Sequence, residues 1–284
     1  MKSESTLVSV VIPNFNYGHF LEEAIESVLN QSHPAIEVIV VDDGSTDNSI
    51  EIASRYLDRI SLIKKINGGV SSARNVGITN STGSFVCFLD ADDFWETTKV
   101  ELQLKKALEG KNGLVYSGIL ECDSKLIPVR EIQPFFQGDC EERYRFRPGS
   151  AVAILGTSTA LISRDVLDEV GLFDLELNTS ADWDFLRRIS KITDFGYVSS
   201  PLVRYRKHAN NMSAGSLARY YRDNEKALNK MVSEYAKSNL RNSLINNYSK
   251  FRFHIGASSA FFKAKEVKSG IRHFCKALTG VIGL

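Results

Sequence analysis

The sequence predicts an α/β fold, with a mostly parallel sheet flanked by helices and an all-helical C-terminal extension. Short apolar runs rich in Val and Ile recur along the first third of the 284 residues, and segments with helical spacing separate them. From Ser216 onward the pattern becomes entirely helical. We therefore divide the chain into an α/β domain, residues 1–215, and a helical extension, residues 216–284.

Four buried parallel strands are expected in the first part of the chain, because each run is short, apolar and without polar alternation. They are Leu7–Ile12, Ile36–Val41, Ile60–Ile63 and Phe85–Leu89. Pro13 is expected to end the first strand, since proline has no N–H for the ladder. A further strand is expected at Gly113–Gly118.

Helices are expected between the strands and after them. Apolar residues recur at helical spacing from Phe20 to Leu29, and Ser71–Ile78 follows the third strand. Ser163 is placed to cap a helix that Gly171 ends, and Asp182–Ser190 forms another. In Glu141–Arg147, arginines alternate with aromatic residues, so an extended conformation would put three cations on one face.

Charge is distributed unevenly along the chain. The net charge is only +1, which gives no indication of nucleic-acid binding, but residues 216–284 contain thirteen Lys and Arg against four Asp and Glu. This basic extension favours peripheral contact with an anionic membrane surface, and a solvated helical face is the alternative.

The cysteine spacing and the length of the apolar runs indicate the cellular compartment. The four cysteines show no CxxC spacing, as expected for free thiols in a reducing cytosol. The N-terminus lacks the apolar region of a signal peptide, and no apolar run reaches the roughly 20 residues of a membrane-spanning helix. A cytoplasmic protein, at most peripheral on the inner face of the membrane, is expected.

Two acidic clusters follow predicted strands. Asp90, Asp92 and Asp93 stop the apolar run of the fourth strand, and Asp42 and Asp43 follow the second. Unpaired buried carboxylates are costly, so a cation is expected there, and Mg²⁺ holding a diphosphate suits one or two carboxylates. Because carboxyl ends of parallel strands meet at one edge, both clusters are expected at one site. Taken alone, Asp42 and Asp43 could be a turn and helix cap.

The remaining donor-side residues can be assigned by chemistry. Asp43 can accept the ring N–H of a pyrimidine, and the stretch from Pro13 through Asn14 to Asn16 can offer backbone groups to the same nucleoside. Arg74 follows a glycine pair and can bind phosphate, with a surface salt bridge as the alternative. The pattern predicts an enzyme acting on a nucleotide-linked substrate.

Three motifs in this order resemble the family 2 inverting glycosyltransferases of the GT-A fold, a Rossmann-like sheet flanked by helices. They are Ser9-Val-Val-Ile-Pro-Asn-Phe-Asn16, Val41-Asp-Asp-Gly-Ser45 and Asp90-Ala91-Asp92, within a resemblance covering Leu7–Ser213. The resemblance implies that Asp90 and Asp92 hold Mg²⁺ or Mn²⁺ on the donor diphosphate and that Asp43 contacts uracil.

The resemblance extends to the acceptor side. Gly171-Leu-Phe-Asp174 and Ala181–Arg188 are similar to the family's catalytic stretch, which makes Asp182 the general base. Ala181 stands where the family has Glu, and a helix-start carboxylate is the alternative for Asp182. Trp183 is either the floor of the acceptor site or a core residue. The resemblance also implies that Thr157 lines the acceptor side and that His208 is a further metal ligand.

The implied activity is transfer of a single sugar from a nucleotide sugar to a saccharide or lipid-linked saccharide. The chain lacks the Gln-x-x-Arg-Trp element of processive synthases, so a non-processive enzyme is favoured. A nucleotidyltransferase and an inactive membrane-surface module are the alternatives. The first lacks support because no Gly-rich loop follows the first strand. A homodimer is left open.

Overall fold

The computed structural model describes residues 5–133, 136–146, 156–209, 211, 216–235 and 240–282. In these residues one nine-stranded sheet forms the centre of the molecule. The strands are β1 (Val8–Asn14), β2 (Ile36–Asp42), β3 (Ser61–Lys64), β4 (Phe85–Phe88), β5 (Phe94–Trp95), β6 (Leu114–Cys122), β7 (Pro128–Ile132), β8 (Leu161–Ser163) and β9 (Phe195–Arg206).

The strand order is β3-β2-β1-β4-β8-β6-β9-β5, and β7 pairs with β6 at the side. The first four are parallel, β8 is antiparallel to both its neighbours, and β6 and β9 are again parallel. The α/β sheet flanked by helices that the sequence predicts is confirmed, with four strand pairs parallel and four antiparallel. The carboxyl ends of β1, β2 and β4 therefore lie side by side at one edge.

Ten helices surround the sheet or follow it in the described residues. They are α1 (Gly18–Leu29), α2 (Ser49–Ser54), α3 (Val70–Asn80), α4 (Lys99–Gly110), α5 (Glu141–Phe146), α6 (Arg164–Val170), α7 (Ala181–Ile189), α8 (Leu217–Tyr235), α9 (Leu240–Lys263) and α10 (Val267–Ile282). Ser163 caps α6 by accepting the N–H of Val166 at 3.4 Å, and Gly171 ends it with φ of 76°.

Two apolar cores lie on opposite faces of the sheet. Val10 and Ile12 of β1 pack with α1, α2 and α4, whereas Val11 packs with α3, α6 and α7. Successive side chains of a strand point to opposite faces, so a strand covered on both sides must be apolar throughout. This explains why the predicted strands read as continuous apolar runs.

One expectation about local structure was wrong, and one conditional arrangement does not occur. Strand β1 continues through Pro13 to Asn14, because β4 pairs with β1 only as far as Val11, so Pro13 needs no N–H on that side. Glu141–Phe146 is helical rather than extended, and Arg147 lies outside the described residues. Its acidic first turn and basic last turn match the helix dipole.

The C-terminal helices begin against the α/β core. Ala227, Leu228 and Met231 of α8 join the same apolar core as α7. The Asp223 carboxylate accepts the N–H groups of Asn178 and Ser180 at 3.0 and 2.8 Å. Helices α9 and α10 then form a hairpin. The boundary at residue 215/216 stays a prediction. Across the described ranges, no helix has both the length and the apolar character to cross a membrane.

Candidate active site

The ends of β1 and β2 are joined by a network of side chains. Asn14 Nδ2 donates to Asp42 Oδ2 at 3.0 Å, and Asp42 Oδ1 accepts the N–H of Ser45 at 3.0 Å. Asn16, with φ of 58°, accepts the N–H of Thr46 at 2.8 Å through its Oδ1. Asp42 and Asn14 therefore fix the loop after β2. Their expected contact with a nucleoside stays a prediction.

Asp43 is buried and anchors the loop before α3. It forms an ion pair with Lys65, and its two oxygens accept the N–H groups of Gly68 at 3.0 Å and Gly69 at 2.7 Å. Gly69 has φ of 86°, a conformation that glycine adopts without strain. An ionised carboxylate offers about four acceptor sites, so one remains for a base N–H.

Arg74 joins the two acidic groups most important for the expected chemistry. Its guanidinium is almost fully buried, with Nη1 donating to Asp182 Oδ1 at 2.5 Å and Nη2 to Asp90 Oδ1 at 2.7 Å. Burial lowers the pKa of Arg74, but the charges of Asp182 and Asp90 outweigh it and raise that pKa above its ordinary value. Arg74 is therefore not a surface salt bridge, and its expected binding of phosphate stays a prediction.

Asp92 lies beside His208, as expected. Asp92 Oδ2 is 3.0 Å from His208 Nε2 and accepts Asn211 Nδ2 at 3.1 Å. Burial and then the nearby Asp90 charge raise the pKa of Asp92. Burial, followed by Asp92 and Asp90, raises the pKa of Asp93 well above its usual range. Asp92 and Asp93 are thus less readily ionised than exposed carboxylates, because they are buried close to other acidic side chains.

This donor set fits a hard divalent cation. Asp90 has over a third of its side chain exposed, so it is accessible to a ligand. No group of three or more His, Cys, Asp or Glu in the described parts of the chain forms a complete cation site. Mg²⁺ commonly takes only one or two carboxylates and completes its shell with water and phosphate. The expected roles of Asp90, Asp92 and His208 as metal ligands stay predictions.

The acceptor side of the cleft adjoins Asp182. The backbone N and the Oγ1 of Thr157 both donate to Asp182 Oδ2 at 3.4 Å, and the side chain of Asp182 is about one-third exposed. Trp183 is buried in the core, and its Nε1 has no hydrogen-bond partner within the described residues. The acceptor roles of Thr157 and Trp183 stay predictions.

The donor-binding roles of Pro13 and Ala91 stay predictions. Ala91 is buried and packs in the core beneath the acidic edge.

Asp184 forms ion pairs with Arg187 and Arg188, both at 2.9 Å, so it has a structural role on α7.

Arg206 and Ser158 support the acidic loop and were missed in the sequence. Arg206 is buried, donates to the carbonyl of Asp92 at 2.8 Å and pairs with Glu23. Ser158 Oγ accepts the N–H of Asp90 at 3.2 Å. The basic segment Arg204–His208 was a usable signal for Arg206, but it did not say which arginine is buried. Ser158 gave no comparable signal.

Comparison with known proteins gives a family and a fold. Residues 9–171 match the sequence profile of glycosyl transferase family 2. An uncharacterised glycosyltransferase of Rickettsia prowazekii is 32% identical over 207 residues, covering 72% of this chain. This chain spans 65% of the length of that relative.

Solved structures show the same architecture. TarS 1–349 of S. aureus in complex with UDP-GlcNAc superimposes with a TM-score of 0.73 at 19% identity, covering 97% of this chain and 81% of that one. Mannosyltransferase PcManGT from Pyrobaculum calidifontis, in complex with GDP-Man and Mn²⁺, gives 0.64 at 16% identity, covering 96% and 75%. The fold is that of the GT-A glycosyltransferases, with a helical C-terminal region. The chain belongs to glycosyl transferase family 2.

Proposed function

We propose that this glycosyltransferase moves one sugar from a nucleotide sugar to a hydroxyl of a saccharide or lipid-linked saccharide, with inversion at the anomeric carbon. The observation that supports it most is the buried Arg74, which binds Asp90 and Asp182 at once. One guanidinium thereby keeps a donor-side carboxylate and an acceptor-side carboxylate within a single cleft.

Asp182 is the proposed general base. Arg74 holds its Oδ1, so the carboxylate keeps a fixed orientation, while Oδ2 faces Thr157 at the cleft. A hydroxyl replacing these long 3.4 Å contacts would give its proton to Oδ2 as it attacks the sugar. Attack from the face opposite the leaving group in one displacement inverts the configuration.

The donor side would bind the nucleoside diphosphate. Asp90, Asp92 and His208 are the groups proposed to hold Mg²⁺ or Mn²⁺, which when bound would neutralise charge on the leaving diphosphate. Asp43 would accept the ring N–H of the base with its remaining acceptor site, next to the backbone of Pro13, Asn14 and Asn16. Arg206 and Ser158 would keep the Asp90–Asp92 loop in place for binding.

A uridine nucleotide is the proposed donor carrier. The fold neighbour TarS is solved with UDP and with UDP-GlcNAc, and Asp43 suits a pyrimidine ring N–H. PcManGT is solved with GDP-Man, so a guanosine carrier belongs in the test. All four cysteines are free, which agrees with the proposed cytoplasmic location on the inner face of the membrane.

A thermal-shift screen of UDP, GDP and TDP with and without Mn²⁺ tests the donor. A ligand at about 100 times its Kd stabilises by about 2.7 kcal/mol, so UDP with Mn²⁺ should raise the midpoint most. Product analysis tests the reaction. Release of nucleoside diphosphate and an inverted anomer in the NMR spectrum are expected, whereas release of pyrophosphate would identify a nucleotidyltransferase instead.

A further inference from the structure

Helix α10 has an apolar strip that no other part of the described residues covers. Val267, Ile271, Phe274 and Leu278 are 55, 52, 46 and 45% exposed, although all are large apolar residues. Their spacing of four, three and four residues places them along one line of the helix. We call these four residues the α10 strip. Contiguous exposed apolar surface of this kind marks an interaction site.

The α10 strip is separate from the face that holds the hairpin together. Gly270, His273 and Ala277 of α10 are buried. At 100° per residue they lie beside the strip rather than on it. The strip is therefore a second face of α10, distinct from the face that packs in the hairpin.

A row of cations borders the other side of the strip. Lys268, Arg272 and Lys276 follow at intervals of four residues and are exposed, and Lys276 pairs with Glu225 of α8. Residues 240–282 contain eight Lys and Arg against the single acid Glu266. An apolar strip with an adjoining basic row is the pattern of a helix that lies in a membrane interface.

We propose that α10 docks this protein on an anionic lipid bilayer, with the α10 strip inserted among acyl chains and Lys268 and Arg272 at the headgroups. The helix has sixteen residues, fewer than the roughly 20 needed to span a bilayer, so it lies along the surface. The inference gives the peripheral membrane contact of the proposed function a defined surface, but it does not depend on sugar transfer.

Charge complementarity favours a lipid surface over a second copy of the chain. In a two-fold dimer the same patch faces itself, so strips that meet in antiparallel fashion would have their basic rows on the same side of the contact. Like charges across such an interface repel, whereas anionic headgroups attract each Lys or Arg near the surface. The basic excess of α9 and α10 therefore fits a bilayer better.

Flotation of the full chain with vesicles tests the proposal. Vesicles of phosphatidylcholine with phosphatidylglycerol should bind the protein, and phosphatidylcholine alone should bind it weakly. Ile271→Gln with Phe274→Gln should reduce binding at least about tenfold. The control, Leu57→Gln with Val129→Gln, removes two equally exposed apolar residues from the α/β domain and should leave binding unchanged.

The basic row is tested in the same way. Lys268→Gln and Arg272→Gln should each weaken binding to the mixed vesicles by about fivefold at low salt. Lys105→Gln and Lys125→Gln, on the exposed surface of the α/β domain, are the matched controls. A loss of binding equal to that of the controls would contradict the proposal.

Cys275 provides a direct readout. It is exposed on α10 beside the strip, and the other three cysteines are buried, so an environment-sensitive fluorophore should label it selectively. Its emission should shift to the blue when mixed vesicles are added. No shift and no flotation, or a dimer in light scattering that the Ile271→Gln, Phe274→Gln variant dissociates, would overturn the proposal. Nucleotide-sugar turnover in solution, measured on each variant, should be unchanged, which separates this test from that of the sugar-transfer proposal.

Discussion

The carboxyl edge of the sheet and the α9–α10 hairpin handle buried polar groups in opposite ways. At the sheet edge, Arg74 and Arg206 are buried as cations and each is paired with a carboxylate. In the hairpin the buried polar pair is His254 and His273, with their Nδ1 atoms 3.0 Å apart. Burial of ionised groups is costly unless they are paired, and both arginines have a carboxylate partner, whereas the buried histidines can stay neutral.

The contrast implies that single changes at the sheet edge affect activity most. We expect Asp182→Asn to reduce transfer by about 10²- to 10⁴-fold, because the amide cannot take the acceptor proton. Donor binding should persist, since Asn keeps the size of the side chain. Steady-state kinetics with nucleotide-sugar binding measured in parallel checks this.

Asp168→Asn, on the exposed side of α6, is the control and should leave turnover unchanged. Unaltered turnover in Asp182→Asn would show that Asp182 is not the general base.

The next largest effect is expected on stability at Arg206. Arg206→Met would leave the buried carbonyl of Asp92 without its donor and remove the pair with Glu23, whose side chain is about half exposed, at a cost of about 1–3 kcal/mol in the free energy of unfolding. Arg204→Met, two residues away on β9, removes a pair with Glu96 in which both side chains are about one-third exposed. That change should cost about 0–1 kcal/mol.

Urea denaturation with linear extrapolation measures both changes. Equal losses of unfolding free energy in the two variants would show that burial does not make the Arg206 contacts more stabilising than the Arg204 pair.

Two glycines extend the comparison to packing. A Cβ on Gly77 of α3 would lie 2.1 Å from Val11 Cγ1, so Gly77→Ala should cost about 1–3 kcal/mol. Gly256 of α9 has open space around it, and Gly256→Ala should stabilise the helix by about 0.5–1 kcal/mol. Thermal unfolding of both variants gives the signs directly, and the same sign for both would refute this packing account.

Acid should act on the hairpin through its histidine pair. Burial lowers the pKa of His254 to about 4 and also lowers that of His273. The charged groups that face the pair are Glu225 on α8, Lys250 on α9, and Arg272 and Lys276 on α10. The folded state binds protons more weakly than the unfolded state, so stability is full above about pH 6.5 and falls toward about pH 4.

His254→Leu with His273→Phe should flatten this dependence between those two pH values. Denaturation midpoints against pH, measured for the variant and the wild-type chain, check it. Parallel curves would mean that the pair does not couple to folding.

Local patterns predicted most of the sheet and the acidic edge. Buried parallel strands can be recognised in the sequence by their apolar composition. Their carboxyl ends lie at one edge of the sheet, which places Asp42 and Asp90 together. What could not be read was pairing between distant residues. The buried pairs of Arg74 with Asp90 and Asp182 could not be predicted, because partner choice depends on how α3 and α7 pack on one face of the sheet. The burial of Arg206 could not be predicted for the same reason, since it too depends on partners that are distant in the sequence.

The acidic edge as a donor site is tested most directly by calorimetry of a UDP-sugar with and without Mn²⁺, using the wild-type chain and Asp92→Ala. We expect Mn²⁺-dependent binding in the wild type and its loss in Asp92→Ala, with a folded protein by circular dichroism. Equal affinity in the two proteins, or binding indifferent to Mn²⁺, would contradict the account.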